Sequence, residues 1–256
     1  MLRLFIQAPF AAFRPFTAGW YRPTAHFLTP SAAYGLALNL AGIETRRDDG
    51  VSPMTVTRFD LPPARIALGA DPGNPRGPHP AVHTLYQQLH NYPVGTSGKE
   101  RQESAKGNKY NITPVRREFL SDLRAFVLFD FSKHPEIEDR IREGLRGESS
   151  RMGERYGLPF LGDNAFLIDR IDVRDGPVTA LWYRPVETGS ERESASQTTR
   201  LTIWIDRADM SKTQSALFAP DPCPSEDSED PSWTAWTRID PPAAPSTPAK
   251  SRGKKG

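Results

Sequence analysis

Three places in the sequence carry residues whose types and spacing suit chemistry on phosphate. Lys133 and His134 stand side by side. A histidine can move a proton and a lysine can face a pentavalent phosphate, two of the roles that RNA cleavage through a 2′-hydroxyl requires. Pro135 follows them at once, so the plainer and preferred reading is the entrance of a helix. The second place is the first 43 residues, with Arg3, Arg14 and Arg22 and no acidic residue. Phe10, Phe13, Phe16, Trp20 and Tyr21 are interleaved among these arginines. Guanidinium groups suit phosphates and ring faces suit unstacked bases; the alternative is that the rings pack beneath a loop as core. The third is the segment Lys99 to Arg117. There Lys99, Arg101, Lys106, Lys109, Arg116 and Arg117 oppose only Glu100 and Glu103, a local charge of +4, and Gly95, Gly98 and Gly107 loosen the chain. A basic, flexible hairpin of this kind could hold a phosphate backbone.

A weaker signal is Gly157-Leu158-Pro159-Phe160-Leu161-Gly162-Asp163-Asn164. Its glycines allow close backbone approach, and successive amides can form an anion-binding nest. A simple turn into a strand is the plainer reading, and no Gly-Lys-Ser/Thr follows to make a Walker loop. His79, His83 and His90 do not read as a metal set: His83 and His90 are seven apart on an expected strand and so face opposite ways. No GxSxG or HExxH occurs, so neither those chemistries nor a metal or other cofactor is expected.

Composition narrows the setting. The chain has 256 residues, with 33 Lys plus Arg against 31 Asp plus Glu, a net charge of +2. Overall charge therefore does not advertise nucleic-acid binding; only the local clusters do. The single cysteine, Cys223, excludes a disulfide framework and a CxxC zinc site and fits a reducing cytoplasm. No apolar run approaches the ~18 residues of a membrane span. Met1 to Phe10 lacks the basic start and long apolar stretch of a signal peptide. A cytoplasmic protein with no membrane partner is expected.

The elements that must position these residues follow from periodicity. Leu2–Gln7 reads as a buried strand. Ser31 reads as the N-cap of a helix over Ala32–Ala41 that ends near Gly42, with Ala33, Leu36, Ala37 and Leu40 as its apolar stripe. Strands are expected at Arg65–Leu68, His83–His90, Leu123–Phe129, Ala165–Val173, Val178–Tyr183 and Leu201–Ile205. A second helix is expected over His134–Leu145, with Ile137, Ile141 and Leu145 at helical spacing. The order is that of an α+β fold, a ferredoxin-like or RRM-type βαββαβ sandwich with a hairpin insertion and extra C-terminal strands. Such a sandwich leaves one sheet face and its loops for single-stranded nucleic acid, although the fold alone decides no function. The domain spans residues 1–206, followed by a linker at 207–219. Residues 220–256 hold eight of the 25 prolines. They read as a disordered tail, dispensable for RNA capture, with Trp233 and Trp236 as a short docking patch.

Two stretches resemble a known family. Leu2-Arg3-Leu4-Phe5, Ala8 to Arg14 and Thr29 to Leu36 resemble the N-terminal signature of the CRISPR-associated Cas family numbered five, the RAMP-superfamily subunit of type I Cascade complexes. Arg155 to Asp169 looks like the glycine-rich loop of its DevS branch, found in type I-B-like systems. The resemblance implies a non-enzymatic subunit of the antiviral ribonucleoprotein that caps the crRNA 5′ handle. It also implies a β-hairpin thumb at about 92–114. The implied partners are the handle, the Cascade backbone subunit, the large PAM-reading subunit and target DNA within the complex. The residues then assigned to RNA are Phe13, Arg14, Trp20, Tyr21, Arg22, Ser31, Tyr34, Lys99, Arg101, Lys106, Lys109, Tyr110, Asn111, Arg116, Gly157, Gly162 and Asn164. One branch of the family is instead a metal-independent endoribonuclease of pre-crRNA. It uses a Tyr near the end of the first helix and a Lys-His pair at the start of the second. Lys133-His134 matches that pair, but Asn39 to Ile43 stands where the Tyr should be, and Tyr34 lies about two turns early. A nuclease and a protein-only adaptor remain the alternatives.

Overall fold

The computed structural model describes residues 1–15, 20–50, 55–93, 110–147, 157–186, 197–207 and 209–241. The alternation at the N-terminus builds β1 (Leu2–Ala11), in which Leu2, Leu4, Ile6 and Ala8 are buried on one face. A two-residue strand β2 (Tyr21–Arg22) precedes helix α1 (Pro30–Leu40). The helix starts two residues earlier than expected: the N-cap is Thr29, whose hydroxyl accepts from Ala32 N at 3.2 Å, and Pro30 occupies the first turn. Strands β3 (Arg46–Arg47) and β4 (Val56–Thr57) form a separate small ladder. The main sheet continues with β5 (Ala64–Ala70), β6 (Ala81–Pro93) and β7 (Tyr110–Asp130). Helix α2 (Glu136–Arg146) has three acids in its first turn and ends on left-handed Gly147. Then come β8 (Arg170–Val173), β9 (Thr179–Pro185), β10 (Thr199–Trp204), β11 (Gln214–Pro220), β12 (Ser225–Glu226) and β13 (Thr237–Ile239).

The sheet runs β10-β11-β9-β5-β7-β1-β8, with β13 on β5, β12 on β9, and both β2 and β6 on β7. Within it, β8-β1-β7-β5 is antiparallel throughout. β7 serves twice. Its second half lies between β1 and β5, while its first half extends with β6 as a hairpin from Ala81↔Ser121 to Pro93↔Tyr110. The thumb therefore begins well before residue 92. Lys99, Arg101, Lys106 and Lys109 lie outside the described residues, as do the side chains of Tyr110 and Asn111.

Alternate residues of β1, β5 and β7 face the two helices and bury Leu4, Ile6, Ile66, Val127 and Phe129 against Leu36, Leu38, Leu40, Ile137 and Ile141. The opposite face carries a second cluster of Ala67, Leu128, Val178, Ala180, Trp182 and Ala235, with Trp233 and Trp236 packed on it. Gly69 allows β9 to approach β5, since a side chain there would meet Ala180 Cβ at 2.5 Å.

Several expectations are corrected. Residues 207–219 are not a linker but contain β11, paired with β9 and β10. Residues 220–241 are not a disordered tail: they add β12 and β13 and close over the second sheet face. Average composition hid this because a few large rings and paired charges suffice. Trp233 meets both Trp182 and Trp236 edge to face, and Asp221 and Asp227 each take an arginine, Arg184 and Arg3. That sheet face is consequently not wholly free for nucleic acid. Finally, the strand expected at 165–173 is only Arg170–Val173; the residues before it form a loop with one bridge, Phe160↔Leu167.

Candidate nucleic-acid interface

The glycine-rich loop is clamped to the end of β1. Ala12 N donates to Leu161 O at 3.2 Å, and Leu161 N donates to Phe166 O at 3.0 Å. Gly162 has φ +76°, and a Cβ there would fall 1.9 Å from Ala12 O, so only glycine fits. The clamp brings Asp163 to two arginines. Arg14 Nη2 lies 2.8 Å from Asp163 Oδ2, and Arg117 Nη2 donates to the same oxygen. Ala165 N donates to Oδ1 at 3.0 Å. Burial alone would push the Asp163 carboxyl up, but the Ala165 amide, Arg117 and Arg14 together hold it below the usual carboxylate range. Arg14 is shifted down, first by burial and then by the like charge of Arg117. The loop's polar centre thus takes the chain's own carboxylate, not the anion-binding nest that the glycines suggested.

Beside this cluster lies a groove of about 900 Å³, bounded by Gly35, Leu36 and Asn39 of α1, by Arg46 of β3, by the loop, and by Ile205 and Arg207. Asn39 Nδ2 donates to Gly157 O at 3.3 Å and ties the loop to α1. Three arginines, Arg14, Arg46 and Arg207, line the groove against Glu44 and Asp163.

A second surface sits at the hairpin base. β2 runs parallel to β7, matching Tyr21 with Arg116 and Arg22 with Arg117, and Arg116 N donates to Trp20 O at 2.7 Å. Trp20 is 62% exposed and Tyr21 44%; the Tyr21 hydroxyl donates to Glu118, which also accepts from Thr24 N at 3.0 Å. Arg116 is exposed.

Of the residues read from the sequence, Arg14, Gly157, Gly162 and Asn164 meet at the groove, and Trp20, Tyr21, Arg22 and Arg116 meet at the hairpin base. Three others do something else. Phe13 is a core residue. Tyr34 is buried and its hydroxyl donates to Pro62 O at 2.6 Å, so burial pushes its ionisation well up and its ring faces no solvent. Ser31 Oγ lies 3.1 Å from Thr29 Oγ1 at the helix start. Sequence reasoning missed Asp163, Arg46 and Arg207 as site residues. Asp163 carried a legible signal, being the one acid inside the glycine-rich run.

Lys133 lines a separate small cavity of about 170 Å³ with Arg65, Asp130, Ser132 and Arg238. His134 Nδ1 lies 3.3 Å from Glu136 Oε1. Among the described residues, no group of three or more His, Cys, Asp or Glu is placed to hold a metal ion, and no helix is long and apolar enough to cross a membrane.

A large, mainly antiparallel sheet backed by two helices, with arginines lining a groove and exposed rings at the hairpin base, defines an α+β protein. The comparisons give the family. The family model described as "CRISPR-associated protein (Cas_Cas5)" matches residues 1–210, and the chain belongs to that family. A solved chain from a "CRISPR RNA-guided surveillance complex" has a similar fold, with a TM-score of 0.54 at 14% identity over 88% of this chain and 90% of that one. No curated protein sequence matches.

Proposed function

We propose that the protein is the subunit of a type I Cascade-like effector that binds and caps the crRNA 5′ handle. The observation that carries this reading is the Arg14–Asp163–Arg117 cluster. It sets Arg14 of the groove beside α1 and Arg117 of the hairpin base on one shared carboxylate, so that the two arginine-bearing surfaces adjoin and a single strand can pass from one to the other. The strand order β8-β1-β7-β5, with α1 and α2 in the two crossovers, supports a ferredoxin-like core. In this reading the hairpin is a thumb that holds backbone, and the partners are the Cascade backbone subunit, the large PAM-reading subunit and target DNA. The system is type I-B-like and cytoplasmic.

The protein is read as a binding subunit and not as a nuclease. Tyr34, the only tyrosine of α1, is committed to Pro62 in the core and so does not serve Lys133 and His134 as a third group. The test is to co-express the chain with its complex partners and a repeat-containing RNA, purify the assembly and map the bound RNA. A small RNA with one defined 5′ end is expected. An assembly holding every protein partner but no RNA would instead make the chain a protein-only adaptor.

A further inference from the structure

Four rings lie together outside both buried cores. Phe10 of β1 meets Phe119 of β7 at 5.6 Å between centroids and Phe166 of the glycine-rich loop at 6.2 Å; Phe119 and Phe166 are also 6.2 Å apart. His83 of β6 pairs in register with Phe119 and lies nearly parallel to it, with centroids 5.3 Å apart and planes 25° apart. His83 Nε2 and Ser121 Oγ, 2.7 Å apart, fix the imidazole plane. The arrangement is not a buried one: His83 is exposed, and Phe10 is 46% exposed. The cations of the candidate interface are attached to it. Arg117 Cζ sits 5.1 Å from the Phe166 centroid while its Nη2 reaches Asp163, the carboxylate shared with Arg14.

Ring surface left open in one contiguous patch is unusual unless something else covers it. The shape and charge of the patch identify what would. It offers flat rings instead of aliphatic knobs, its outermost ring is held in one plane, and guanidinium groups lie directly beside it. That is the pattern of a planar heterocycle joined to a phosphate. We propose that His83, Phe119 and Phe10 form a stacking subsite for one unstacked base of the bound RNA. Arg14, the exposed guanidinium of the cluster, holds the adjoining phosphate, with Arg117 behind it on Asp163. The subsite rests on the RNA-binding reading above and adds to it a place where the strand leaves the groove and turns toward the hairpin. Stacking on these rings is tolerant of base identity and favours purines by area.

The test compares the full chain and its variants on two probes, oligoadenylate and an abasic ribose-phosphate strand of equal length. Both carry the same phosphates; only one carries bases. His83→Ala is expected to weaken oligoadenylate binding by about 5- to 150-fold, to leave abasic-strand binding unchanged, and to leave the salt slope of both unchanged. His83→Phe, which keeps a ring face, is expected to restore oligoadenylate binding. If His83→Ala does not fold, Phe10→Ala, at an exposed position outside the core, gives the same readout. Equal losses on both probes, or no loss on either, overturn the subsite while leaving RNA binding intact. No binding of either probe by the unaltered chain overturns the RNA reading and the subsite with it. Loss of a protein partner from the assembled complex, with both RNA affinities unchanged, assigns the patch to a protein contact and overturns the proposal.

Discussion

Arg3 and Asp227, 224 positions apart, form a two-pronged ion pair: Nε lies 2.8 Å from Oδ2 and Nη2 lies 3.0 Å from Oδ1. The Asp227 side chain is 1% exposed, and its Oδ2 also accepts from Val178 N at 3.0 Å. The pair pins the C-terminal segment to the first strand of the sheet.

Asp227→Ala is expected to destabilise the protein by about 3 kcal/mol, the low end for breaking a buried pair, because Glu229 remains as a second partner for Arg3. Ending the chain after Ala219 is expected to do more, exposing Trp182 and Leu128 together. Such a chain should unfold without a cooperative transition and bind a hydrophobic dye; a sharp transition at the full-length temperature would show that the segment is decoration. Calorimetry separates the two outcomes.

Asp163→Asn removes one negative charge shared by two guanidiniums. Stability is expected to fall by about 1.5–3 kcal/mol. RNA affinity at low salt is expected to rise, with the salt slope steeper by about 0.7 as a cation is released for phosphate. The folded carboxyl lies below its ordinary range. Its contribution is therefore complete above the unfolded value of about pH 4 and is lost as pH falls through the folded value. Denaturation between about pH 2 and 5 should be shallower in the variant, which chemical unfolding across that range will read.

Gly162→Ala forces a methyl onto Ala12 O at a positive φ. A loss of about 1–3 kcal/mol is expected, together with weaker RNA binding, because the loop clamped to Ala12 is one wall of the groove beside α1 and is displaced. An unchanged Tm would mean the loop is not clamped in solution.

Replacing Lys99, Arg101, Lys106 and Lys109 together by glutamine is expected to weaken RNA binding equally for all sequences. The salt slope should drop by about 0.7 for each phosphate that the hairpin no longer neutralises. A slope that does not move would remove these four residues from the RNA path.

The purified chain, incubated with repeat-containing RNA and EDTA, is expected to yield no specific cleavage. Cleavage that vanishes in His134→Ala would instead establish the nuclease reading and require a proton-transfer group other than Tyr34.

Local patterns carried much of this architecture. Leu2, Leu4 and Ile6 announce a half-buried strand by alternation, and Ile137 and Ile141 announce a helix by spacing. The glycines at 157 and 162 mark a close approach, although only the fold shows that Gly162 approaches Ala12. The C-terminal segment was illegible for a physical reason. Its stability comes from single long-range contacts, Asp227 with Arg3 and Trp233 with Trp182, that leave no period and sit among prolines. Phe13 and Phe10 show the same limit from the other side. They are three residues apart in one aromatic run, yet one is core and the other 46% exposed.

The closure of the second sheet face by residues 225–239 sets an order of events during synthesis. β1 leaves the ribosome first, but Arg3 meets Asp227 only after 224 further residues, roughly 10 to 45 seconds at about 5–20 residues per second. Once made, Leu128 and Trp182 have no cover until that segment follows them, and the nascent chain then presents a sticky sheet face suited to chaperone capture. Truncated translation products keep that face open. β13 therefore works as a completion seal: the face is expected to close only in chains translated through Ile239.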